Sequence, residues 1–91
     1  MNILIPTPLR QYVDGQSKIE VKAPTVRGAL DALTLDRPEL RKHLFNDAGK
    51  LRAFVNLYLN DEDVRYLAQK EDSAVLDSDT LSIIPSIAGG R

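Results

Sequence analysis

The chain predicts an α+β domain in which a mixed sheet packs on one main helix and a flexible C-terminal tail follows. Three observations predict it. Short β-branched or alternating runs stand towards both ends, at "NILI", "SKIEVK", "LRAFVNLYLN" and "LSIIP". One strongly amphipathic helical stretch lies between them, from Val26 to Leu33. The last apolar run then gives way to "SIAGGR", whose two glycines have no side chain to pack. A hairpin, a helix and further strands favour a helix laid on a sheet over alternating βαβ units.

Each element follows from its residues. "NILI", bounded by Pro6 and Pro8, reads as the first strand. In "LRQYVDGQSKIEV", Asp14-Gly15 is a hairpin signal, because glycine reaches the positive φ that tight turns need. "SKIEVK" sets Ile19 and Val21 on one face and Lys18, Glu20 and Lys22 on the other, a half-buried second strand. Thr25 is the expected N-cap of the helix. Val26, Ala29, Leu30 and Leu33 fall at i, i+3, i+4 and i+7 and form its buried stripe. A second short helix is expected from Asp36, with Glu39 completing a capping box and Pro38 tolerated in the first turn. Leu40 and Leu44 would face inward. "NDAG", 46–49, reads as a turn.

"LRAFVNLYLN" points Val55, Leu57 and Leu59 one way and Phe54, Asn56 and Tyr58 the other. "NDED" closes that strand with a turn, and "VRYL" is expected as a short returning strand. "DSDTLSIIP" supplies a turn and a last strand, with Leu81 and Ile83 inward and Ser82 and Ile84 outward. The order β-β-α-β-β-β, its fourth strand short, is the β-grasp arrangement. The pattern leaves the strand order open. The expected division is a β-grasp domain over residues 1–85 and a tail over 86–91.

Ninety-one residues make one domain. Twelve basic against 13 acidic residues, net −1, speak against a general nucleic-acid binder, which needs a basic surplus to neutralise phosphates. No apolar stretch approaches the roughly 20 residues of a membrane span. "MNILIPTPLR" lacks a basic segment followed by a long apolar core, so no signal peptide is expected. The absence of cysteine excludes disulfides, thiolate metal sites and cysteine nucleophiles, and fits a cytoplasmic protein.

Catalytic groups are scarce. His43, in "ELRKHLF", reads as a solvated helix residue, with no second histidine or cysteine to complete a site. Asp61, Glu62 and Asp63 lack the spacing of a calcium loop and read as a solvated turn. Asp77 and Asp79 flank Ser78 as turn residues. No metal site is expected. Phe54, Tyr58 and Ile84 share the outward face if their strands are neighbours. Two readings stand: scattered surface apolar residues, which are common, or a docking surface. The tail offers the remaining chemistry. Gly89-Gly90 could enter a narrow channel and bring a carboxylate to the α-phosphate of ATP.

Tail and domain together resemble the MoaD/ThiS family of ubiquitin-like sulfur carriers. The resemblance rests on the short first strand, "APTVRGALDAL", the "FVN" strand and the ending "DTLSIIPSIAGG". "IPTPLRQYVDG" and "GKLRAFVNLYLNDEDVRYL" resemble the CysO-type branch, which serves cysteine biosynthesis. The resemblance implies a co-substrate rather than an enzyme, with a thiocarboxylate formed on Gly90 and with Gly89, Ala88 and Ile87 as its tail. It implies that Ile84, extended by Phe54 and Tyr58, docks on a partner. The partners implied are an ATP-dependent activating enzyme of the ThiF/MoeB type, a pyridoxal-phosphate cysteine synthase and a zinc metalloprotease for tail processing. ATP, pyridoxal phosphate and zinc would belong to those partners, with no cofactor bound here.

Arg91 departs from the family pattern, because it holds the carboxyl group of Gly90 in a peptide bond. Three readings compete: a precursor from which a protease removes Arg91, a cloning remnant, or a carrier that binds only non-covalently. Other acceptors for the sulfur (thiamine, molybdopterin or transfer RNA), a ubiquitin-like protein modifier and a plain β-grasp interaction module are the alternative functions.

Overall fold

The computed structural model describes residues 1–85. Strands β1 (Asn2–Leu4), β2 (Lys18–Glu20), β3 (Val55–Leu59), β4 (Glu62–Asp63) and β5 (Thr80–Pro85) form one sheet. Helices α1 (Val26–Thr34) and α2 (Pro38–Leu44) lie between β2 and β3 in the chain. The strand order is β2-β1-β5-β3-β4. β1 and β5 run parallel at the centre, and the other pairs are antiparallel. This mixed sheet carrying helices is the β-grasp fold that the sequence predicts.

The alternation reading holds across the sheet. Ile3 pairs with Leu81 and both are fully buried. Leu57 pairs with Ile83, and each is 3% exposed. Ile19 and Val21 pack against this core from one edge. Leu30 and Leu33 of α1 and Leu40 and Leu44 of α2 complete it with no exposure at all. The Thr25 hydroxyl accepts the Gly28 amide at 3.0 Å, so the expected N-cap is formed. Thr34 ends α1 buried, donating to the Leu30 carbonyl at 2.8 Å and accepting from Arg41 at 3.0 Å. Arg27 and Arg41 both lie over the Phe45 ring, 4.5 and 4.6 Å from its centroid, and both reach Asp31. That cluster fixes α2 against α1.

Two local expectations are corrected, and one stretch is filled in. The arm leading to Asp14-Gly15, to which the sequence assigns no element, is a 3-10 segment, Thr7–Tyr12. Pro6 and Pro8 preset a turn conformation, and the Leu9 amide donates to the Pro6 carbonyl at 2.9 Å. The turn itself is present, with φ of 56° at Asp14 and 78° at Gly15. The second helix starts at Pro38 with Arg37 as N-cap and no side-chain cap. Asp36 cannot form a capping box there, because Pro38 disfavours helical geometry at Arg37, whose φ and ψ are −132° and 72°. Glu39 pairs instead with Lys42 at 3.6 Å. Finally, "VRYL" is not a strand. The returning strand is Glu62–Asp63, and Val64–Tyr66 is a 3-10 turn capped by the Asp63 carboxylate.

Candidate functional site

β5 places the residues before the tail. Its alternation buries Leu81 and Ile83 and turns Ser82 and Ile84 outward, leaving Ile84 48% exposed. Leu4 stands beside Ser82 across the parallel ladder and is 40% exposed. Phe54, in the turn just before β3, is 36% exposed. These three side chains line an open apolar groove of about 720 Å³ at the end of the sheet where β5 finishes.

The other lining residues come from four elements and from the chain after β1. Ile5, Pro6, Pro8 and Leu9 come from the chain after β1 and its 3-10 segment. Val55, Ile83 and Pro85 belong to β3 and β5. His43 of α2 and Ser82 are the polar members of the lining. His43 Nε2 lies 2.8 Å from Tyr12 Oη, with the two rings 4.8 Å apart at their centroids. This contact ties the 3-10 segment to α2 and sets the wall that carries Pro8 and Leu9. An open groove with an apolar lining can shed water against a complementary surface.

The structure brings Phe54 and Ile84 together, as the sequence predicts. Tyr58 lies further along β3, opposite Ser82, half-buried and outside the groove. The proposed tail and processing residues Ile87, Ala88, Gly89, Gly90 and Arg91 lie outside the described residues. The sequence pattern does not single out Leu4, Pro8, Leu9 or the Tyr12–His43 pair. Leu4 had a signal, since it alternates with the buried Ile3 and Ile5. His43 is exposed as expected, though its partner is 31 residues away and invisible to local pattern.

Two of the acidic positions, Asp63 and Asp79, have structural partners. Arg65 grips Asp63 through two side-chain bonds, of 2.7 and 3.2 Å, and a backbone amide bond of 2.9 Å. The Arg65 side chain, followed by its amide, lowers the Asp63 pKa below the usual 3.8. Asp79 accepts the Leu76 amide at 2.8 Å and the Asn60 side chain at 3.3 Å, and these bonds lower its pKa likewise. Among the described residues no group of three histidine, cysteine, aspartate or glutamate side chains could hold a metal ion. No helix among them is long and apolar enough to cross a membrane.

Comparison with known proteins bears on this geometry. The chain is 34% identical to the sulfur carrier protein CysO of Mycobacterium tuberculosis, covering 99% of this chain and 98% of that protein. CysO in the crystal structure of the Amycolatopsis orientalis BexX/CysO complex superposes with a TM-score of 0.85 at 37% identity, over 98% of each chain. SAMP1 from Haloferax volcanii superposes with a TM-score of 0.81 at 29% identity, over 99% of this chain and 98% of that one. These relatives are carriers and modifiers, which serve as substrates of enzymes rather than as enzymes. The ThiS family model matches residues 3–90, nearly the whole fold together with Gly89 and Gly90. The chain belongs to the ThiS family, of MoaD/ThiS ubiquitin-like proteins, and within it is similar to CysO.

Proposed function

We propose that this protein is a sulfur carrier for cysteine biosynthesis. The observation that carries the proposal is the 34% identity to a CysO sulfur carrier over 99% of the chain. A family match that includes Gly90 and stops before Arg91 supports it. Hydrolysis of the Gly90–Arg91 peptide bond exposes the Gly90 carboxylate. That carboxylate attacks the α-phosphate of ATP and expels pyrophosphate, giving an acyl-adenylate. Sulfide then attacks the acyl carbon and expels AMP, leaving a thiocarboxylate on Gly90. In this reading the protein is a co-substrate whose reactive end works inside a partner's site.

The partners of this reading are an activating enzyme of the ThiF/MoeB type that binds ATP, a pyridoxal-phosphate cysteine synthase and a zinc metalloprotease. Leu4, Phe54 and Ile84 would meet the activating enzyme, with Tyr58 at the margin of that contact. The apolar lining of the groove supports this assignment. The test is intact-mass spectrometry of the full chain and of a chain ending at Gly90, each incubated with an activating enzyme, ATP and sulfide. The shorter chain should gain one oxygen-to-sulfur exchange and the full chain should not. Gain by neither form would refute the carrier reading.

A second reading, protein modification through Gly90, draws support from the likeness to SAMP1, called a small archaeal modifier protein. It predicts isopeptide-linked forms on target lysines in cell lysate, which a carrier alone does not form.

A further inference from the structure

We infer that β2 is a self-pairing edge: a second copy of this chain adds to it antiparallel, centred on Ile19, with Lys18 of each copy against Glu20 of the other. Among the described residues β2 ends the sheet, and β1 is its strand neighbour. The bonds to β1 fix which backbone groups remain. The Ile5 amide donates to the Ser17 carbonyl at 2.8 Å, and the Val21 amide donates to the Met1 carbonyl at 2.9 Å. Ile19 lies midway between Ser17 and Val21 and pairs with Ile3. Backbone groups alternate along a strand, so it is the odd-numbered residues that bond to β1. Lys18 and Glu20 therefore turn their N–H and C=O groups to the open side of the edge.

The side chains make this edge complementary to itself. β2 exposes Lys18 and Glu20 and half-buries Ile19. Neither charged side chain has an ion-pair partner among the described residues. A lysine on a sheet edge ordinarily keeps other chains away. Here a two-fold axis through Ile19 sets each Lys18 opposite a Glu20, on one face of the joined sheet. Each such pair exchanges both backbone bonds, and opposite charges directly across a ladder stabilise it. A parallel copy in the same register would set Lys18 against Lys18 and Glu20 against Glu20, which repels. The two Ile19 side chains meet at the axis on the core face, where each already packs against its own core. The new ladder stops before Gln16, whose amide is already bonded to the Val13 carbonyl at 3.0 Å. So short a joint falls well below the roughly 1,200 Å² of stable complexes, and its dissociation constant is on the order of 1 mM. β5 keeps both its neighbours in the joined sheet, because β1 stands between it and the joint.

The test is an amide NMR dilution series of the full chain, from about 2 mM to about 0.1 mM, beside Lys18→Glu, Glu20→Lys and the double exchange. On dilution the Lys18, Ile19 and Glu20 amide signals of the native chain should shift, and its diffusion should quicken. Each single variant sets like charges across the joint and should lose most of that concentration dependence. An equimolar mixture of the two single variants should regain it, because every Glu then faces a Lys. The double exchange should match the native chain. The same spectra show that each variant is folded. Native β2 signals that dilution leaves unmoved would overturn the inference. So would single variants that still associate, or a mixture of them that does not.

Discussion

Ile83 and Ile84 are neighbours in β5 with opposite surroundings: Ile83 is 3% exposed in the core, and Ile84 is 48% exposed at the groove. Substitution should separate fold from docking. Ile83→Ala is expected to cost about 2–5 kcal/mol, the usual range for an emptied core site. Ile84→Ser should change stability by no more than about 0.5 kcal/mol, as an exposed position does. It should weaken binding to an activating enzyme about tenfold, equivalent to about 1.4 kcal/mol. Urea midpoints and a binding titration check the two arms.

The Tyr12–His43 contact predicts a smaller effect. Tyr12→Phe removes the hydroxyl and keeps the ring. A loss of about 0.5–1 kcal/mol is expected for a partly solvated hydrogen bond. Denaturation in urea should show a lower midpoint at an unchanged slope. An unchanged midpoint would mean that this bond contributes nothing to holding the groove wall.

Thr25→Ala should destabilise the protein by about 1 kcal/mol, because the Gly28 amide loses its partner at the start of α1. Thr25→Asp should recover most of that loss, since aspartate caps equally well. Thermal or chemical denaturation of the three proteins provides the comparison.

Acid sensitivity follows from Asp79. Its pKa is lowered first by the Leu76 amide and then by Asn60. A carboxyl with a depressed folded pKa stabilises the native state above its unfolded pKa. That contribution is lost as pH falls through the folded value. Stability should therefore decline as pH drops below 3.8, with Asp63 acting in the same direction. Asp79→Asn should show a shallower acid limb. Parallel curves of midpoint against pH for the two proteins would contradict this.

The elements legible in the sequence are those whose burial repeats at short intervals. Leu81 and Ile83, or Val26, Ala29, Leu30 and Leu33, declare their face because water is excluded from one side of a regular element. The 3-10 segment escapes such reading, since Leu9 is its only buried residue and prolines set its shape. "VRYL" resembled a strand because Val64 is buried, yet the Asp63 carboxylate bends the chain by accepting the Arg65 amide. The central pairing of β1 with β5 joins residues from opposite ends of the chain and leaves no local trace. The groove is half visible for the same reason: Ile84 lies in an alternating strand and Phe54 immediately before one, while its Pro8–Leu9 wall depends on the distant Tyr12–His43 contact.

The central position of β5 also has a mechanical consequence. The strand that leads to Gly90 is bonded on both flanks, to β1 and to β3. A pull applied at Gly90 acts on the innermost strand of the sheet, not on an edge. A machine that threads this protein from that end must strip two ladders at once before anything else yields. A partner that only draws the tail into its own site meets an anchor that holds.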